Sequence, residues 1–245
     1  MDTTAYTMIL AILIIFLSSI IQGITSFGFS LVAVPLLGML LPLKVVVPML
    51  VLYSLVLNII ILHHIRAHAN LKQIIILVIA GIIGTPFGAH LLKVMDESTL
   101  KVVIGVIVTI SAIINLYGIK VKIKNERLSY IPVGFVSGLM NGSASLGGPP
   151  LVLFLTNQGV EKQRFRANLT SYFLILNIFT IPTYFLGGQI TSDVVSYTLY
   201  ALPGLIIGAF LGVRLGNKVD EAFFRKLTLG LIIVTGVLSV ITGIK

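Results

Sequence analysis

The chain has no cysteine, which excludes a disulfide, a thiolate nucleophile and a cysteine metal site. Charge is also scarce: 10% of the 245 residues are Asp, Glu, Lys or Arg, where a soluble domain carries about a quarter. With 57% hydrophobic residues and a mean hydropathy of +1.08, a soluble globular protein is excluded. Acidic residues are the scarcer sign, 8 against 17 basic ones. The resulting net charge of +9 is distributed as membrane orientation requires, so no nucleic-acid partner is expected.

Charges divide the chain into uncharged runs at 3–43, 45–65, 73–92, 102–119, 128–160, 167–192, 194–213 and 227–244. Each is long enough to cross a bilayer, which takes about 20 apolar residues in a helix. Stretches such as Val45 to Leu62 lack the alternation of barrel strands. An all-α polytopic membrane protein is expected. The first run is preceded by an acidic residue and no basic one, and is too long for a signal-peptide core, so it is expected to be retained.

The chain is internally duplicated. Gly23, Ser30, Leu31, Pro35 and Leu36 recur 115 residues later as Gly138, Ser145, Leu146, Pro150 and Leu151. Tyr53 to Ile59 (YSLVLNI) recurs at an offset of 119 as Tyr172 to Ile178 (YFLILNI), and Gly84, Gly88, Asp96 and Glu97 recur at 124 as Gly208, Gly212, Asp220 and Glu221. Each half opens with a run, 41 and 33 residues long, that is too long for one straight span across a core of about 30 Å. Small residues interrupt both runs, in Gln22 to Ser30 and in Ser137 to Pro150. Each run is therefore read as a helical hairpin that enters and returns.

The basic residues support this reading. With hairpins, Arg66, Lys72, Lys120, Lys122, Lys124, Arg127, Lys162, Arg164, Arg166, Arg214, Lys218, Arg225 and Lys226 share one side, and only Lys44, Lys93, Lys101 and Lys245 lie opposite. The basic side is cytoplasmic, which puts both termini outside. The expected first repeat, 1–118, holds a hairpin at 5–42 and helices at 45–65, 71–92 and 99–118. A basic linker follows at 119–128. The second repeat, 129–245, holds a hairpin at 129–158 and helices at 167–188, 193–215 and 221–243. A hairpin plus three spans reverses the side of the chain, so the halves are inverted repeats, in which matched helix breaks point to a substrate site.

The Gly-x-x-x-x-Gly-Phe stretch Gly23 to Phe29 with Pro35, together with Gly138, Gly142, Gly147, Gly148, Pro149 and Pro150, resembles the sulfite exporter TauE/SafE family. The similarity runs through both halves. It implies a prokaryotic cytoplasmic-membrane transporter of small anions such as sulfite, sulfonates and related organosulfur or carboxylate compounds. Aligned at 115, the first half has Val32 and Ala33 where the second has Gly147 and Gly148, so a looser or less polar first half-site is expected.

Helix breaks free backbone N–H groups, and an anion is a natural ligand for them. The candidate site comprises Ser26 and Gly28 at the first break and Asn141, Ser143, Ser145, Gly147 and Gly148 at the second. Small residues also serve close helix packing, the competing role. Asn58 and Asn177, equivalent in the repeat and deep in uncharged runs, either line the substrate path or bond to neighbouring helices. Tyr53 and Tyr172 read as packing with one satisfied hydroxyl. No ionisable Asp, Glu, Lys or Arg falls in mid-span, so a central proton relay is not expected.

His64 and His68 have the i, i+4 spacing of a metal pair but no third ligand nearby, and no metal or cofactor is expected. Asp96, Glu97, Asp220 and Glu221 read as helix N-caps. No catalytic constellation lies in the spans, so an enzyme is not expected. The leading reading is a secondary transporter with a small anion and the bilayer as partners, with a small-anion channel as the alternative and a homo-oligomer left open.

Overall fold

A computed structural model describes residues 3–96, 98–100, 102, 103, 106, 126–220, 223, 226, 230 and 234, with no strand among them. Helix α1 (Thr3–Thr25) and α2 (Gly28–Leu37) form the first hairpin, followed by α3 (Leu43–Ile65), a 3-10 turn at Arg66–His68 and α4 (Leu71–Val94). Helix α5 (Glu126–Ala144) and α6 (Gly148–Asn157) form the second hairpin, followed by α7 (Lys162–Leu186) and α8 (Ser192–Lys218). Local chemistry sets several of these ends. Asn70 and Thr191 accept from the N–H groups of Gln73 and Val194 to start α4 and α8. Gly188, at φ +70°, lets the N–H of Gln189 reach back to the carbonyl of Tyr184 and stop α7.

Five helical segments, Thr7–Thr25, Leu43–His68, Leu71–Val94, Lys162–Leu186 and Ser192–Lys218, are long and apolar enough to cross a membrane. Ile75, Ile79, Ile83 and Phe87, spaced by four along α4, are each about half exposed. Gln22, Asn58, Asn141, Asn177 and Thr180 are buried. Apolar groups outside and polar groups inside is the arrangement a hydrocarbon solvent favours.

Helix α1 packs along α8, α4 along α5, and α3 against α7. The first two pairs are parallel. Gly204 lies against Ile12 and Phe16, Gly208 against Phe16 and Ser19, Gly212 against Ile20 and Gly23, and Gly216 against Ile24. On the other pair, Gly134 faces Leu77, Gly138 faces Gly81 and Gly142 faces Thr85. A Cβ at Gly138 would lie 2.0 Å from the Gly81 carbonyl oxygen, so these backbones touch, as small-residue seams in membranes allow.

The two seams correspond residue by residue. Gly84 and Gly88 meet the carbonyls of Phe135 and Leu139, while Gly208 and Gly212 meet those of Phe16 and Ile20. The fourth helices are thus related by 124 residues and the hairpin stems by 119. The 115-residue alignment of the hairpins is corrected accordingly, because it matched identical letters and not backbone positions. In the 119 register Gly28 and Phe29, not Val32 and Ala33, correspond to Gly147 and Gly148.

Contacts also sort the helix ends. The Lys44 ammonium donates to the Lys93 carbonyl at 3.2 Å and that of Lys93 to the Gly187 carbonyl at 3.3 Å. At the other end the Asn70 N–H donates to Asn168 Oδ1 at 2.8 Å, and the Lys162 ammonium donates to the Val219 carbonyl.

Several helix boundaries differ from those expected. The hairpin runs expected at 5–42 and 129–158 break at Ser26–Phe27 and Ser145–Gly147, leaving unequal arms of 23 and 10 residues and of 19 and 10. Helix α5 begins inside the stretch read as linker, at Glu126, and α7 begins at Lys162 and not at 167. A charge does not mark the helix end here, because Arg166 is fully buried within the first turns of α7. The spans expected at 99–118 and 221–243, and the linker at 119–125, lie almost wholly outside the described residues.

Candidate functional site

Each hairpin turns at a serine in the left-handed region, Ser26 at φ +69° and Ser145 at φ +58°. The Ser26 N–H still donates to the Gln22 carbonyl at 2.7 Å, and the Ser145 N–H to that of Asn141 at 2.8 Å. Each serine therefore closes the last turn of its entering helix and then reverses the backbone, as an αL cap does. Holding a residue with a Cβ there costs about 1–2 kcal/mol. Such strain concentrates at functional sites.

Beside each break stands a buried amide pair. Gln22 Nε2 donates to Asn58 Oδ1 at 3.3 Å, and Asn141 Nδ2 donates to Asn177 Oδ1 at 3.3 Å. Both pairs obey the 119-residue register. Gln22 was not among the residues singled out from sequence. Its signal was available, since Gln22 and Asn141 share the offset that relates Asn58 to Asn177.

The N–H groups that open the two return helices are treated differently. At α2 the Gly28 N–H donates to Thr25 Oγ1 at 3.0 Å and the Phe29 N–H to Gln22 Oε1 at 3.0 Å. At α6 the equivalent groups belong to Gly147 and Gly148. Neither has an acceptor among the described residues, and Pro149 and Pro150 have no N–H. The cause is legible in two substitutions between the halves: Ala144 stands where the first half has Thr25 and offers no hydroxyl, and Asn141 is one methylene shorter than Gln22. A buried N–H without an acceptor costs about 1–3 kcal/mol, and both glycines are buried.

The tips meet. Ser30 Oγ and Ser145 Oγ are 2.9 Å apart, and a Cβ on Gly148 would lie 3.2 Å from the Phe27 ring. Asn177 Nδ2 and the Ser26 hydroxyl are also buried without partners among the described residues. Of the other sequence candidates, Ser143 is buried and directs its hydroxyl at the Met140 carbonyl at 3.5 Å. Asn58 accepts from Gln22 and donates to Ser54 Oγ at 3.2 Å. Tyr53 and Tyr172 each donate to a backbone carbonyl, of Tyr197 at 2.7 Å and Gly134 at 3.3 Å. His63, His64 and His68 are exposed, and no cluster of three metal-ligating residues occurs among the described residues.

This is the architecture of a polytopic helical membrane protein with two broken hairpins whose tips join inside the bundle. Residues 11–239 match the family model described as sulfite exporter TauE/SafE, and the chain belongs to that transporter family. No curated protein and no solved structure matches it.

Proposed function

We propose that the chain is a secondary transporter that binds one small anion at the joined hairpin tips and exposes it alternately to either side. The family points to sulfite or a related organosulfur or carboxylate anion. The observation that carries the reading is the pair of N–H groups of the buried Gly147 and Gly148, without acceptors among the described residues, at the positive end of a helix. Ser26, Ser145 and Asn177 supply side-chain donors, with Asn141 and Ser143 shaping the second tip, and the Asn58 and Gly28 groups hold the first tip in shape.

The halves are inverted repeats in this reading. Its support is the opposite course of the two hairpin stems: α1 is parallel to α8, α5 to α4, and α4 shares its C-terminal end with that of α7. The described basic residues also sort by end as the sequence partition requires, Lys44 and Lys93 at one, Lys72, Lys162 and Lys218 at the other. The chain then sits in a prokaryotic cytoplasmic membrane with both termini outside. Reporter fusions after Ile123 and Val160 should both report cytoplasm and one at Gly188 the exterior; disagreement between the first two excludes the second hairpin.

The site is tested by melting the purified protein with sulfite, thiosulfate, methanesulfonate, sulfate and acetate. A ligand at 100 times its Kd stabilises by about 2.7 kcal/mol. Ala144→Thr should restore the hydroxyl that the first half uses and weaken that response at least about tenfold in Kd, because an internal acceptor competes for the N–H groups. Absence of any response in the unmodified protein, or an unchanged Kd in the variant, overturns the site. Flux that never saturates with substrate overturns alternating access in favour of a channel.

A further inference from the structure

We infer that Arg166 is the fixed positive charge that makes the first helix break compatible with an anion, a positioning residue acting through the end of α1. The inference rests on the anion reading above. A break sets two helix ends at each tip. The start of the return helix is positive and attracts an anion, whereas the end of the entering helix is negative and repels it. How each negative end is neutralised therefore matters.

At the second break the Gly142 carbonyl accepts from the Tyr184 hydroxyl at 2.7 Å. Its counterpart in the 119 register, the Gly23 carbonyl, accepts from Arg166 Nη2 at 2.7 Å. The same orphan carbonyl thus receives a neutral donor in one half and a cation in the other. The partners are not related by the repeat, since position 47 is Val where the second half has Arg166, and position 65 is Ile where it has Tyr184.

Arg166 is 0% exposed. Its Nη1 donates to Asn217 Oδ1 at 3.1 Å and to Gln163 Oε1 at 3.3 Å, and its Nε has no partner. No carboxylate pairs with it among the described residues. A buried cation held by neutral groups alone is unfavourable for folding, so its place at a helix end beside the tip points to a partner that arrives with negative charge. The route is short: the Phe165 and Phe27 rings pack nearly perpendicular, centroids 6.4 Å apart, and Phe27 lies against Gly148.

The test uses the full-length purified chain and thermal titration with sulfite and with methanesulfonate. Arg166→Gln and Arg166→Met remove the charge, Arg166→Lys keeps it, and Ala144→Thr is the reference for a lost site. Both charge-free variants should raise the apparent Kd at least about tenfold, and Arg166→Gln, which keeps an amide donor for the Gly23 carbonyl, should melt without ligand at or above the temperature of the unmodified protein. Arg166→Lys should recover most of the affinity. Charge-free variants that bind normally, beside an Ala144→Thr that does not, overturn this inference alone. Loss of affinity in step with loss of ligand-free stability, without recovery by Lys, also overturns it, because that is what a purely structural role gives. An unmodified protein that responds to neither anion overturns the anion reading and this inference with it.

Discussion

Thr25 and Gln22 occupy the N–H groups that follow the first break, whereas Ala144 and Asn141 leave the corresponding groups of Gly147 and Gly148 without acceptors among the described residues. The turn itself is the same in both, down to a serine in the left-handed region. Duplication has therefore kept the backbone device and changed what it offers. One break is closed by its own side chains, while at the other the first N–H groups of the return helix have no acceptor among the described residues. The lesson is that matched helix breaks need not contribute equally to a site. What decides is whether a side chain within reach has already taken the helix end.

The comparison is broken most severely by making the second tip like the first. Asn141→Gln combined with Ala144→Thr should abolish anion-dependent stabilisation and flux, a larger loss than Ala144→Thr alone, measured by thermal titration and proteoliposome uptake. Next in size are the seams that hold each stem. Gly138→Ala sets a methyl 2.0 Å from the Gly81 carbonyl and should destabilise by about 1–3 kcal/mol. Gly204→Ala, whose methyl would lie 3.5 Å from Ile12, should be tolerated in the same melting assay.

How far the sequence carried these conclusions depends on the kind of signal. Glycine, serine and proline clusters located both breaks within a few residues, because the backbone requirement at a break is nearly independent of context. Gly147, Gly148 and the two prolines that follow mark the start of the second return helix. The register was misread, since the residues that fix it are chemically alike without being identical, as Gln22 and Asn141 are. Arg166 escaped because a charge in a hydrophobic chain reads as an interface marker. Only the fold reveals that the Gly23 carbonyl and Asn217 wait for it 143 and 51 positions away.

Smaller effects sharpen the comparison further. Tyr184→Phe leaves the Gly142 carbonyl buried without a donor and should cost about 1–3 kcal/mol, read by chemical denaturation. Ser26→Gly removes the Cβ from a left-handed residue whose hydroxyl has no partner, and should be stabilising by up to about 1 kcal/mol. Ser145→Gly relieves the same strain but breaks the contact with Ser30, so its net effect should be less favourable.

The smallest effect is expected away from the tips. The Thr99 N–H donates to Asp96 at 2.7 Å and the Phe223 N–H to Asp220 at 2.7 Å, equivalent N-caps in the 124 register. The Thr99 backbone bond holds the Asp96 carboxyl below its usual pKa. Because the folded value is the lower one, the cap's contribution is present above the ordinary carboxylate range and is lost as pH falls through the folded value. Asp96→Asn should therefore melt slightly lower at neutral pH and flatten the acid limb of the stability curve, with transport nearly unchanged.

The parallel seam between α1 and α8 also dictates the order in which the molecule can be made. Ser19 and Gly208 touch across it, so 189 residues separate the two sides along the chain. At roughly 5–20 residues per second of synthesis, α1 waits about 10–40 s in the bilayer before its partner emerges. Helices α4 and α5 meet much sooner. During that interval the Phe16 to Ile24 backbone has α2 and α3 beside it, joined to α3 by the buried pair Gln22–Asn58, and gains Arg166 on the Gly23 carbonyl once α7 is made. A fragment ending before α8 keeps that seam bare, which invites the α8 of a second chain to fill it and makes exchange between copies the characteristic failure of an interrupted insertion.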